Sequence, residues 1–473
     1  MHPARHLLRG QRGRPTDPFA AWEPPGGQAK PAAGPAPTHV HGQPAATSDR
    51  RAGRSTGSGG GEVAGPAHRG GRTTLIAVLG LAVAVGVASG AVALLAQSHP
   101  AVPSSLTAVI PAAAAGDGIG NLHMYSTTTG WAQRLEGGTV LHTTRGVQRW
   151  TASSPPSSDQ MLAVAYVDAE TARVLTVPSE VGSQATVQSW GTKDGGASWS
   201  RGGTFAVQGF SAAVGGTLDF IDAEHGWFSQ LEAAAGVAGT ALYRTVDGGA
   251  HWSEVAVTGG GTPGASVAGA IPEGCDGLTA AFATDTTGWL TGTCLSAAAP
   301  LYVTRDGGVT WTSQSLPSLP PSPAGGASFS PAFTSGESGT LFTENQSLTG
   351  VSTSLFATAD GGLSWLPRST VVGAPVADDF LDADHGWVVI AGDGAAGGTD
   401  LYETGDGGET WNRVGAFPYM GLNLDFLTPE VGWAAVVVGQ QDGGPAYLVQ
   451  TGDGGRTWTG VVPRFAIQSA PSP

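Results

Sequence analysis

A chain of 473 residues with a formal net charge of −15 is long enough for one large closed domain plus flanking segments. Its charge is unevenly divided: residues 1–72 carry ten Lys and Arg against four Asp and Glu, whereas residues 98–473 carry twelve against thirty-three. A globular part this acidic argues against nucleic acid as a partner, because phosphate binding needs clustered Lys and Arg.

In chain order, residues 1–72 contain ten Pro and fourteen Gly and few large apolar side chains, which predicts a disordered tail. Residues 73–97 follow without a single charge and include LIAVLGLAVAVGVASGAVALLA. At about 1.5 Å rise per residue this stretch can cross a hydrocarbon core of about 30 Å, so it is predicted as one transmembrane helix. Arg69 and Arg72 stand at its entrance. By the positive-inside rule the tail is then cytoplasmic and the C-terminal part extracytoplasmic, with the chain a single-pass cell-membrane protein. A cleaved signal peptide is the rival reading. It fits less well, because 72 residues far exceed an n-region and Ala93 to Gln97 offers no A-x-A site. Residues 98–117 read as a spacer between membrane and folded domain.

From there the chain is organised by a repeated phrase, T-x-D-G-G-x-[ST/H]-W, found at 192–199, 245–252, 304–311, 358–365, 404–411 and 451–458. Its Asp and Trp positions are Asp194 and Trp199, Asp247 and Trp252, Asp306 and Trp311, Asp360 and Trp365, Asp406 and Trp411, and Asp453 and Trp458. An eroded copy at 143–150 has Arg145 for the Asp and Val147 for the second Gly. The seven starts are separated by 46 to 59 residues, the period of a radial array of like units. Upstream of each phrase lies a strand pattern ending in an aromatic residue, then an acidic turn and Gly-Trp, as in Phe220, Asp222, Gly226 and Trp227. The first unit keeps Tyr125 and Gly130-Trp131, Asp285 is the turn acid after Phe282, and two units have lost the Trp, at Arg173 and Thr340. Period-two alternation between Gly and Asp turns gives four strands per unit. The phrase itself marks the hairpin turn between the third and fourth strands, with glycines for the positive-φ positions and the Asp accepting backbone N–H bonds. Each Trp is expected to pack on neighbouring strands and give its indole N–H to an acceptor. This assigns the six Asp and six Trp residues a structural role, and a Ca²⁺ cage is disfavoured because it needs several carboxylates on one loop.

Seven such units predict an all-β fold, a seven-bladed β-propeller over 118–465, with residues 466–473 a C-terminal tail. Blades are placed near 118–153, 158–202, 210–258, 276–316, 330–368, 374–416 and 422–465. The phrase resembles the Asp-box, or BNR, repeat of sialidases, sortilin-type receptors and xyloglucan-degrading hydrolases. With the F-x-D-x-x-x-G-W element, the pattern is most similar to the photosystem II assembly and stability factor group and its bacterial relatives. The resemblance covers about 118–463 and implies the propeller. It also implies assembly-factor behaviour, while unrelated activities share the repeat.

No catalytic constellation stands out. A sialidase-like site would need an arginine triad, a Tyr nucleophile and an R-I-P element, and R-I-P is absent. A glycosidase needs two carboxylates about 5 to 10 Å apart. Asp219, Asp379 and Asp425, each preceding the aromatic end of a first strand, are candidate channel carboxylates, against the alternative that each bonds backbone in its own blade. His225 and His385 occupy equivalent turns of different blades, so neither a shared metal nor any cofactor is predicted. Cys275 and Cys294 are the only cysteines, and an even count in an exported domain favours a disulfide between them. Phe417, Tyr419 and Met420 form a candidate binding surface on a variable loop, with blade-edge packing as the alternative. The first reading is therefore a non-catalytic binding or assembly platform for a protein or cell-envelope polymer. A glycan hydrolase and an extracytoplasmic ligand sensor are the alternatives.

Overall fold

The computed structural model describes residues 118–466, except 136, 179–183, 209–215, 233–238, 259–268, 272–275, 295–300, 318–325, 348–349, 392–398, 418–419 and 438–445. The predicted tail, membrane span and spacer, and residues 467–473, lie outside the described residues. So does Cys275, and with it the predicted disulfide.

The described residues form strands and turns without helices. The first sheet is an antiparallel meander of Ile119–Met124, Gly130–Arg134, Val140–Thr143 and Arg149–Ala152. Gln160–Tyr166, Ala172–Val177, Gln184–Thr192 and Ser200–Gln208 make the second. The third runs through Gly216–Phe220, Gly226–Glu232, Gly239–Thr245 and Ser253–Thr258, with Ala270–Ile271 added in parallel. The fifth begins at Ala374–Phe380 and ends at Asn412–Phe417, and the sixth begins at Met420–Phe426 and ends at Thr459–Val461. Four-stranded antiparallel sheets in sequence order, with contacts passing from one sheet to the next, are consistent with a β-propeller.

The fourth sheet departs from the predicted pattern of separate meanders. Within the strand Gly288–Cys294, only Gly288 to Thr291 pair with Leu301–Thr304, so Thr293 and Cys294 are left to pair with Ala327 and Gly326. Gly326–Ser328 also pairs with Thr343 to Asn345, which fuses two meanders into one nine-stranded sheet. A second departure is at 464–466. Arg464–Ala466, of which the sequence places 464–465 in the last blade and 466 in the C-terminal tail, instead lies parallel to Arg149–Ala152 at the edge of the first sheet.

The local reasons for these sheets are visible in the Gly-Trp pair. Gly226 stands opposite Phe220 in the register, and a Cβ there would come within 2.6 Å of the Phe220 ring, so only glycine admits the aromatic end of the preceding strand. In the first sheet the register puts Met124 opposite Gly130, so Met124 rather than Tyr125 takes that place. The following Trp faces the next sheet. Trp227 stacks on Phe282 at 3.7 Å between ring centroids, and Trp387 on Phe426 at 3.8 Å. Their indole N–H groups donate to Gly307 O and Gly454 O, in the D-G-G turn of that next sheet. Arg173 does the same work where the Trp is lost: its guanidinium lies over the Phe220 ring at 5.6 Å and its Nε donates to Gly248 O at 3.1 Å. Trp131, Trp227 and Trp289 are fully buried, so the core lies between sheets as much as within them.

Candidate functional site

The turn between third and fourth strands has the same internal bonding in all six intact copies. In the 358–365 turn, Thr358 Oγ1 donates to Asp360 Oδ1 at 2.7 Å, and the Ser364 N–H and hydroxyl donate to Oδ1 and Oδ2 at 2.9 and 2.6 Å. Asp194, Asp247, Asp306, Asp406 and Asp453 repeat this with Ser198, His251, Thr310, Thr410 and Thr457. These bonds hold the Asp360 and Asp406 carboxyls down at about 2, led in each case by the side-chain hydroxyl of Ser364 or Thr410. Both glycines have positive φ, 66° at Gly361 and 73° at Gly362. The first glycine's N–H donates to a carbonyl in the turn between first and second strands, for example Gly248 to Glu224 O at 2.8 Å and Gly454 to Glu430 O at 2.9 Å. The two turns are thus locked together on one side of each meander. That second turn is capped by Asp168, Asp222 or Asp382 in three sheets, and by Thr284, not Asp285, after Phe282.

Of the Trp residues that close the phrase, Trp199 donates to Ser153 O, Trp311 to Gly308 O and Trp411 to Ser369 Oγ. Trp252, Trp365 and Trp458 have no acceptor for the indole N–H among the described residues, contrary to the general expectation. Trp365 and Trp458 are buried against neighbouring aromatic rings, and ring packing holds them without a polar partner.

Asp219, Asp379 and Asp425 lie at equivalent register positions, opposite Trp227, Trp387 and Trp433, and all three are buried. Each carboxylate reaches the next sheet, and Asp219 also takes the N–H of Phe220 in its own strand. Asp219 accepts the Phe282 N–H at 3.0 Å, Asp379 accepts the Phe426 N–H, and Asp425 accepts the Met124 N–H at 2.6 Å. Burial pushes the Asp219 carboxyl up to about 6, opposed in part by the N–H groups of Phe282 and Phe220. Asp425 also contacts His123 Nδ1 at 3.2 Å, and beside it Asn423 exchanges two bonds with the Leu122 backbone. The sixth sheet is joined to the first in this way, and the order of sheets returns to its start.

Of the predicted surface at Phe417, Tyr419 and Met420, the side chain of Phe417 is the one described. Phe417 is fully buried, with its ring 5.6 Å from that of Trp458, because it ends a fourth strand whose inward face continues the core. Tyr419 lies outside the described residues, and Met420 begins the next strand. His225 and His385 each pair with the Asp three residues earlier in the same turn. Among the described residues no group of three or more His, Cys, Asp or Glu side chains is placed to hold a metal ion.

What sequence reasoning missed is a cleft of about 420 Å³ where the first and sixth sheets meet. Arg145, Gln148, Trp433, Gln450 and Thr457 line it. The eroded turn forms one wall: with no Asp to receive it, the Thr143 hydroxyl donates to Gly146 O at 2.9 Å, and Val147 is buried against the seam cluster containing Trp433 and Leu448. Arg145 at the aspartate position was the available signal, but only the closure of the ring places it opposite 450–459.

No family model matches the chain, and no curated protein matches it. Among solved structures, it is similar to YCF48 bound to D1 peptide, with 19% identity over 65% of this chain and 83% of that one and a TM-score of 0.34. It is also similar to the GH74 xyloglucanase from Xanthomonas campestris, with 15% identity over 74% of this chain, 55% of that one and a TM-score of 0.49. A polysaccharide lyase of family PL25, an ulvan lyase, aligns at 9% identity over 74% of this chain and 96% of that one, with a TM-score of 0.44. The chain spans about 55% of the xyloglucanase.

Proposed function

We propose that the protein is a membrane-anchored, extracytoplasmic seven-bladed propeller of Asp-box type that serves as a non-catalytic binding or assembly platform for a protein or cell-envelope polymer. In this reading the nine-stranded sheet counts as two blades, and residues 73–97 hold the domain at the membrane with 1–72 in the cytoplasm. The observation that supports it most is the use made of Asp219, Asp379 and Asp425. These are the acids a glycan hydrolase would draw on, and each is buried with an oxygen bonded to the backbone of the next sheet. A carboxylate fixed to an N–H in this way is a poor general acid or nucleophile, because the substrate would have to displace a bond that joins two sheets.

The test is crosslinking and capture from intact cells that express the full-length chain, alongside a polysaccharide hydrolysis screen of the same protein. A reproducible client with no turnover is the expected result. Turnover that disappears in Asp219→Asn, Asp379→Asn or Asp425→Asn, with melting retained, would replace the platform by a hydrolase.

A further inference from the structure

Residues 118–466 contain eleven arginines, and eight of them have a structural task. Arg368, Arg413 and Arg456 pair with Glu409, Asp400 and Glu403. Arg173, Arg244 and Arg305 donate to backbone carbonyls of the next meander. Arg201 lies over the Trp190 ring and Arg134 over that of Phe465. The remaining three are Arg145, Arg149 and Arg464, all exposed and none in an ion pair among the described residues. They are gathered at one place. Arg149 and Arg464 stand opposite each other in the parallel pair that closes the first sheet, Arg464 N donates to Gln148 O, and Gln148 and Arg145 line the seam cleft. Two guanidinium groups side by side without a counter-ion repel each other, in a segment (98–473) that carries thirty-three carboxylates with which they could have been paired.

The cleft supplies neutral donors beside these charges. Trp227 and Trp387 give their indole N–H to a glycine carbonyl of the next turn, but the corresponding Gly146 O already accepts from Thr143 and from the Arg149 N–H. Trp433, which lines the cleft, has no acceptor for its indole N–H among the described residues. Gln450 adds a side-chain amide to the same wall.

We propose that the seam cleft binds an oxyanion head group, a carboxylate or a phosphate, with Arg145 as the anchor. The guanidinium fork matches either anion, Trp433 and Gln450 supply the uncharged hydrogen bonds, and Arg149 and Arg464 form a positive rim. A volume of about 420 Å³ suits one head group with its immediate substituent, not a buried polymer. The inference rests on the platform reading only in that the ligand is held, not turned over.

The test is titration calorimetry of the full-length chain at low salt with two probes, inorganic phosphate and citrate, on the unaltered protein, Arg145→Gln, the double variant Arg149→Gln/Arg464→Gln, and Arg368→Gln as a paired-arginine control. Basic residues in 1–72 give a background common to all four, so the dependence on Arg145 is the readout. For at least one probe, Arg145→Gln is expected to weaken binding about tenfold or more, the double variant severalfold, and the control not at all, with melting temperatures unchanged. Phosphate alone would assign a phosphate head group, citrate alone a carboxylate, and both a general oxyanion site. Binding that is equal in the unaltered protein and Arg145→Gln, or absent from both, overturns the proposal and leaves client capture from cells untouched as a separate question.

Discussion

Asp360 lies exposed in a turn with its carboxyl held down at about 2 by hydroxyl and N–H donors, whereas Asp219 is buried between sheets with its carboxyl pushed up to about 6. The same side chain therefore serves two structural ends with opposite electrostatics. In the turns the charge is welcome, because water and donors both solvate it. Between the sheets the acceptor is what matters and the charge is a liability. The two sets respond oppositely to pH. Asp219 contributes its full stability below its unfolded value of 3.8 and loses it as pH rises through about 6. Asp360 and Asp406 contribute above 3.8 and lose their share as pH falls toward about 2.

The strongest way to break this comparison is at the seam. Asp425→Ala strands the Met124 N–H and removes the partner of His123, and a loss of about 3 kcal/mol is expected in urea unfolding. A loss below about 1 kcal/mol would mean that ring closure does not depend on this bond. Asp219→Asn keeps an acceptor for Phe282 and discards the charge. It should stabilise the protein by up to about 3 kcal/mol at pH 7, since one pKa unit is worth about 1.4 kcal/mol, and should flatten the melting temperature between pH 4 and 6. A destabilised variant would show that the carboxylate charge is itself needed. In the exposed set, Asp360→Ala is expected to cost about 1 kcal/mol, as for loss of a helix-capping Asp, with the loss fading near pH 2. The smallest effect belongs to His251→Ser, which restores the commoner donor to Asp247 and should shift stability by less than about 0.5 kcal/mol, measured by thermal melting at two salt concentrations.

The repeat was legible because turn chemistry is local. A Thr, an Asp and two glycines within five residues determine their own bonding, so the hairpins and the four-strand rhythm follow from short stretches such as 358–365. Relations between sheets were not legible. Asp219 reads as a strand-end acid, but its acceptor role needs Phe282, 63 residues on. Arg173 looks like a lost Trp, yet stacking and donation survive the change because a guanidinium offers both a flat face and an N–H. Phe417 reads equally as a surface anchor or as blade-edge packing, because the sequence does not show which face of its strand turns inward; the structure buries it. The seam cleft is the extreme case, since its walls come from residues about 300 apart.

The parallel strand Arg464–Ala466 has a consequence in time. The first sheet to leave the ribosome is completed only when residues 464–466 arrive, and the Met124 N–H waits for a partner 301 residues later. Until then Trp150 and the edge of the first sheet face a chain that has not yet come around. Contacts this distant in sequence form late and slowly, so the nascent protein spends its synthesis with one adhesive edge exposed to whatever chaperones surround it.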